Sequence, residues 1–212
     1  NNVFPQMVEG TLAGLAAGAI ATGRVSRDET CKRSKRLEIF VDGKLEDIAL
    51  VNAAISKEMF AGTRAIWDLD TVSEVYLTRA EPACIGISAL GASLKRVKID
   101  EPVGLHIILG DENSDRKVLA PVGPGSVETI GVADWSELAP GDRKRIELRP
   151  GMVALDGERE VSLLPNQTVE IALSMERPWV ADTPLTLEIL AGKSSASVAE
   201  SVQLNKMGQA ND

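Results

Sequence analysis

Two hydrophobic periods follow one another along the chain. From about Gln6 to Thr22, Met7, Leu12, Leu15, Ala16 and Ala19 recur at three- and four-residue spacing, which predicts one apolar face of a helix. Pro5 suits a first-turn position and Gly23 a stop. Gly10, Gly14 and Gly18 recur at every fourth position, so the helix is expected to lie close against a sheet. From Lys35 onward the period falls towards two. Leu37 to Val41 and Leu45 to Ile55 flank Asp42-Gly43, a pair that tolerates positive φ and so marks a hairpin. The second arm is apolar almost throughout, as in a strand buried on both faces, with Asn52 as its interior polar residue. Thr71 to Leu77 alternates and reads as a strand. Ile85 to Leu94 reads as a loop with a short helix. Further strands are expected near Gly104–Leu109, Lys117–Val122, Ser126–Val132, Arg145–Leu148, Met152–Leu155, Val161–Leu163 and Val169–Leu173. Pro140-Gly141-Asp142, Pro150-Gly151 and Asp156-Gly157 are turn signals between them. Asp182-Thr183-Pro184 supplies the cap of a short helix through about Ala191.

One helix, eight or more strands and one short helix make a mainly β chain, sandwich-like, with no alternation of strands and helices and no G-x-G-x-x-G. The expected division is a helical segment over 1–34, a β-rich domain over 35–192 and a frayed tail over 193–212. At 212 residues and 44% apolar content, a full core forms without disulfides. Only seven residues are aromatic, which makes that core aliphatic.

Charge and rare residues then narrow the chemistry. The formal net charge of −8 argues against a nucleic-acid partner. The basic run Lys32-Arg33-Ser34-Lys35-Arg36 reads as a solvated loop before a strand. No apolar stretch is long enough for a membrane helix. Two cysteines, Cys31 and Cys84, form no disulfide framework or metal spacing, which suits a reducing cytoplasm. The single histidine, His106, sits in an apolar run and reads as a core or edge-strand residue; no zinc site or Ser-His-Asp set can be built on it. The turn Asp156-Gly157-Glu158 sets two carboxylates on one tight loop, where they could bind a cation or accept a hydroxyl proton. A plain hairpin turn accounts for the same residues. The abrupt opening Asn1-Asn2-Val3-Phe4-Pro5, without Met, reads as part of a longer or processed protein.

Three segments together resemble the ATP-NAD kinase/AcoX family of the NAD kinase and diacylglycerol kinase superfamily. They are Asn1-Asn2-Val3-Phe4-Pro5, the helix from Val8 to Gly18, and Ala154-Leu155-Asp156-Gly157-Glu158. Val72 to Leu90, with Tyr76-Leu77-Thr78-Arg79-Ala80-Glu81-Pro82, is similar to AcoX-type proteins, which are named for acetoin catabolism. The resemblance implies the C-terminal, substrate-binding part of an ATP-dependent kinase, downstream of an α/β domain with a Gly-Gly-Asp-Gly-Thr loop that this chain lacks. It implies phosphoryl transfer from ATP, with Mg²⁺, to a nucleotide-like hydroxyl, with NAD as a possible substrate and a homo-oligomer as the assembly. Asp156 and Glu158 resemble the superfamily's Asp-Gly-Glu element, tied to metal or phosphoryl-transfer chemistry. Asn2 resembles an Asn near bound ATP. Asn52 resembles the first residue of the NAD kinases' Asn-Glu pair, but Ala53 follows it, which departs from that pattern. Ser88, in Gly86-Ile87-Ser88-Ala89-Leu90-Gly91, falls in the counterpart of a nucleotide-contacting loop. Read without the family, Asn2 is a helix cap, Asn52 a satisfied buried amide and 86–91 a loop. A non-catalytic ligand-binding or regulatory β-domain is the alternative to the kinase.

Overall fold

The computed structural model describes residues 8–58, 69–123, 125–176 and 178–193. The chain divides into two units. One comprises Arg33–Pro178; the other joins Val8–Lys32 to the chain from Trp179 on. The final stretch of the expected 35–192 domain thus belongs with the N-terminal helix rather than with the β-rich part. The expected roles of Asn1 to Met7 and of the 194–212 tail lie outside the described residues.

In the smaller unit, α1 runs Gly10–Ala21 and is capped by Glu9, whose carboxylate accepts the Leu12 N–H at 3.1 Å. The helix thus begins later than Gln6. A carboxylate there also complements the positive end of the helix dipole. The glycine repeat of α1 makes no close approach within its own unit. A Cβ built at Gly10, Gly14 or Gly18 meets nothing within 4 Å. After α1 come a four-residue helix, α2 (Arg27–Thr30), and a short strand, β1 (Cys31–Arg33), which pairs with β13 (Trp179–Ala181). Arg27 lies over the Trp179 ring at 4.6 Å. The helix capped by Asp182 covers 183–193. Neither α2 nor the β1–β13 pair was foreseen, because three- and four-residue elements carry no readable period.

The larger unit is built from two antiparallel sheets. One has four strands in the order β3 (Lys44–Ala49), β2 (Arg36–Val41), β12 (Val169–Ser174), β9 (Arg143–Ile146). The other has seven, in the order β11 (Arg159–Leu163), β10 (Gly151–Leu155), β4 (Asn52–Ser56), β5 (Val72–Leu77), β6 (Gly104–Leu109), β8 (Ser126–Leu138), β7 (Arg116–Gly123). Leu37, Ile39, Ile171 and Leu173 of the first sheet share one buried cluster with Ile55, Tyr76, Val153 and Leu155 of the second. The opposite face of the seven-stranded sheet buries Ala54, Val75, Leu77, Leu105, Ile107 and Ile130. Alternate residues of β4 and β5 therefore enter different cores, as a strand covered on both sides requires. The mainly β, sandwich-like class is what the structure shows, and no helix among the described residues is long and apolar enough to cross a membrane.

Three local readings change. The apolar run from Leu45 to Ile55 is not one strand: β3 ends at Ala49 in the four-stranded sheet and β4 begins at Asn52 in the seven-stranded one. Hydropathy stays high across the break because both halves are core. Strand β8 runs on past Val132 to Leu138, and Gly104 to Leu109 of β6 pairs along it. Of the pair Pro150-Gly151, Pro150 forms the bend after a cis peptide bond, but Gly151 is already the first residue of β10. A Cβ on Gly151 would come within 2.4 Å of the Ser56 carbonyl oxygen, so the glycine is there for close approach between strands. The two Asp-Gly turns are as expected, with φ of 49° and 79° at Asp42 and Gly43, and 53° and 71° at Asp156 and Gly157.

Candidate functional site

One end of the seven-stranded sheet gathers the start of β4, the ends of β5 and β10 and the start of β6: Asn52 pairs with Leu77, Ala53 with Leu155 and Leu77 with Leu105. Here Leu50-Val51 carries the chain from one sheet to the other. A chain changing sheets cannot use ladder partners, so its backbone groups need others. Asp156 supplies three. Its carboxylate accepts the N–H groups of Leu50 at 2.7 Å, Val51 at 2.8 Å and Asn52 at 3.1 Å. Its own N–H donates to the Asn52 carbonyl at 3.0 Å. Thr78, just past β5, serves the remaining carbonyls. Its hydroxyl donates to Leu50 O at 2.8 Å, and its N–H donates to Val51 O at 2.9 Å. Arg159 closes the outside of the corner, bonding Asp47 and, at 2.8 Å, the Ile48 carbonyl.

These contacts define what each expected residue does. Asp156 is buried, and its side chain is 1% exposed. Burial pushes its carboxyl up, against the pull of the three N–H groups and of Arg159. Its acceptor capacity is turned to the backbone rather than to a cleft. Glu158 lies on the exposed side of the same turn, where its N–H donates to Leu155 O at 3.0 Å. The two carboxylates, adjacent in sequence across Gly157, thus differ in setting: one is inside the corner and one outside. Asn52 is half-buried, with both backbone groups held by Asp156. Asn2 lies outside the described residues.

Ser88 belongs to α3 (Ile87–Ala92), a short helix that packs on β5 and β7. A Cβ on Gly91 would meet the side chains of Leu77 and Ala80, so α3 lies against the segment following β5. Gly86 leads into the helix at φ 96°, a conformation reserved for glycine, and donates its N–H to Pro121 O at 2.8 Å. Ser88 is 1% exposed, and its hydroxyl has no hydrogen-bond partner among the described residues.

Sequence reasoning missed Arg79 and Thr78. Arg79 directly follows the corner-binding Thr78 and is 6% exposed. Burial pulls its guanidinium down from the usual arginine range, and the carboxylates of Glu81 and Asp156 pull it back. An arginine two residues past the end of β5, in an otherwise buried segment, was the signal available. Cys84 is buried, and its thiol is pushed up by burial and by Glu81. It is thus a poor nucleophile.

His106, read as a core or edge-strand histidine, is in β6. Its ring stacks on Tyr76 at 4.4 Å, and Nε2 lies 2.9 Å from Glu74 Oε2, which also accepts the Tyr76 hydroxyl at 2.8 Å. The three polar groups satisfy one another at the margin of the inter-sheet core.

Residues 35–176 match the family model of the acetoin catabolism protein X C-terminal domain. The chain is also 42% identical over 180 residues to acetoin catabolism protein X of Cupriavidus necator. That match covers 82% of this chain and 50% of the relative, so the chain spans about half the length of the curated relative it matches. The family-model match over 35–176 takes in the sheet-switch corner, Arg79, Ser88 and the Asp156 turn. The chain belongs to the acetoin catabolism protein X C-terminal domain family.

Proposed function

We propose that this chain is the ligand-binding part of a protein that serves acetoin catabolism, and that it recognises a phosphate-bearing, nucleotide-like molecule beside the sheet-switch corner. The observation that supports this reading is the buried Arg79, a cation that follows Thr78 at the sheet-switch corner and feels the Glu81 and Asp156 carboxylates. Arginine keeps its charge when buried, and its planar fork matches phosphate oxygens bidentately. Asn52 would read the base or sugar through its amide, and the Ser88 hydroxyl would donate a further bond. Asp156 and Thr78 act through the backbone as positioning residues. The acetoin link comes from the name of the Cupriavidus necator relative.

The finer reading is transfer of a phosphoryl group from ATP to a hydroxyl of that ligand, as the family resemblance implies. Mg²⁺ would supply charge neutralisation in such chemistry. Among the described residues no three carboxylate, His or Cys side chains group to cage a metal, and Asp156 is engaged by three N–H groups, so a Mg²⁺ in this chemistry would rest on phosphate oxygens and at most one or two carboxylates. This chain would contribute recognition and orientation of the acceptor. Ligand binding without catalysis is the second reading, and it is favoured by the same engagement of Asp156 and by Ala53 following Asn52.

Thermal shift with ATP, ADP, NAD and acetoin, each at millimolar concentration, tests the proposal. A ligand present at about 100 times its Kd stabilises the folded state by about 2.7 kcal/mol, which is a readable shift. A nucleotide should raise the melting temperature, acetoin should not, and Asn52→Ala should abolish the shift while leaving the ligand-free melting temperature near wild type. A shift with acetoin alone, or a nucleotide shift that Asn52→Ala leaves intact, would refute the assignment.

A further inference from the structure

Helix α1 has an apolar face that is covered at one end and open at the other. Between Gly10 and Gly23 there is no charged residue. Leu12, Leu15, Ala16 and Ala19 lie within one third of a turn of each other at 100° per residue and form a single stripe. At the C-terminal end of that stripe Ala16 is 1% exposed and Ala19 4%. At its N-terminal end Leu12 is 45% exposed and Leu15 55%. Scattered single leucines on a surface need no explanation, but a stripe buried for half its length and bare for the other half is an incomplete interface.

Two facts indicate what completes it. The matched family is a C-terminal domain, and its match begins at residue 35, after α1. The Cupriavidus necator relative is about twice as long as the matched stretch. The open end of the stripe is the end nearer in sequence to whatever precedes a C-terminal domain. We propose that Leu12 and Leu15 dock onto an apolar surface of the N-terminal half of full-length proteins of this kind, making α1 the joint between the halves. The inference is independent of any ligand at the Arg79 corner.

Hydroxyl-radical footprinting tests it on two proteins: the 212-residue chain, and a full-length chimera in which this chain replaces the matching part of the Cupriavidus necator protein. Leu12 and Leu15 should be modified about threefold or more less in the chimera, at every protein concentration. Leu119 and Val127, 64% and 59% exposed on the larger unit, serve as internal references. Equal modification of the two leucines in both proteins would overturn the proposal. Protection in the 212-residue chain that grows with concentration would assign the surface to a second copy. Concentration-independent protection there, lost on deletion of 194–212, would assign it to the chain's own tail; either result overturns the docking. Should the chimera not fold, Leu12→Glu with Leu15→Glu in the 212-residue chain still decides. Leucines that are bare in this chain tolerate the change with the melting temperature within about 1 °C. A clear fall shows that they are already covered and overturns the proposal.

Discussion

The Asp156 carboxylate holds together a place where two sheets exchange a strand. Three N–H groups converge on it, one buried and two half-buried. Removing the acceptor leaves those donors without partners, and each such loss costs on the order of 1–3 kcal/mol. Asp156 has φ 53°, so the informative substitutions are those that tolerate that conformation. Asp156→Gly should lower unfolding free energy by about 2–5 kcal/mol in urea titration, and Asp156→Asn by less, because one amide oxygen still accepts. A cost below about 0.5 kcal/mol for Asp156→Gly would show that water replaces the carboxylate and that the corner does not depend on it. From the sequence, Asp156-Gly157-Glu158 was legible as a turn, and its possible chemistry was legible only through family likeness. The sequence could not reveal that the carboxylate points inward to residues 50–52, because partners about a hundred positions away leave no local period. The same holds for Thr78 and Arg79, whose roles appear only once β5 ends beside β4.

Elements with a long enough period were readable. The alternation in Val72–Leu77, the apolar run of Gly104–Leu109 and the Asp-Gly turns appear as β5, β6 and two hairpins. The unreadable boundary was the one between β3 and β4, because both flanking strands are core and hydropathy does not change at a sheet switch. Glycine was ambiguous for a similar reason: the residue looks the same in a crowded strand and on an open helix face. Gly104 and Gly14 separate the two cases. A Cβ on Gly104 would stand 2.6 Å from the Leu77 carbonyl oxygen, whereas one on Gly14 meets nothing within 4 Å. Gly104→Ala should therefore destabilise the larger unit by about 1–3 kcal/mol, since backbone must move. Gly14→Ala should stabilise α1 by about 0.5–1 kcal/mol, through the lower conformational entropy of the unfolded chain. Hydrogen exchange resolves both: faster in β5 and β6 for the first, slower in α1 for the second. Slower exchange in both variants would mean that the Gly104 strand relaxes without cost.

On the scale of the whole molecule, the chain spans about half a relative's length and carries two sheets around a shared core; the proposed phosphoryl transfer would need more than these. Moving a phosphoryl group needs backbone N–H groups turned to the phosphates, a held cation and an oriented acceptor. Among the described residues the first has no candidate. Gly14 and Gly18 are inside α1, Gly86 donates its N–H to Pro121, and Gly104, Gly131 and Gly151 are inside strands. For the second, no group of three or more suitable side chains among the described residues is placed to hold a metal without a ligand's phosphates. The third is the part that the proposed function assigns to Asn52 and Arg79. Arg24, Arg27 and Lys32 add positive charge in the smaller unit, but charge without oriented N–H groups gives attraction and no in-line geometry. The 212-residue chain incubated with ATP, Mg²⁺ and NAD should therefore form no NADP above background, even if a nucleotide raises its melting temperature. The two measurements separate binding from chemistry. A thermal shift without turnover is what an acceptor-recognition half requires, and NADP formation by the purified chain would show that residues outside the Arg79 corner complete a cradle within these 212 positions.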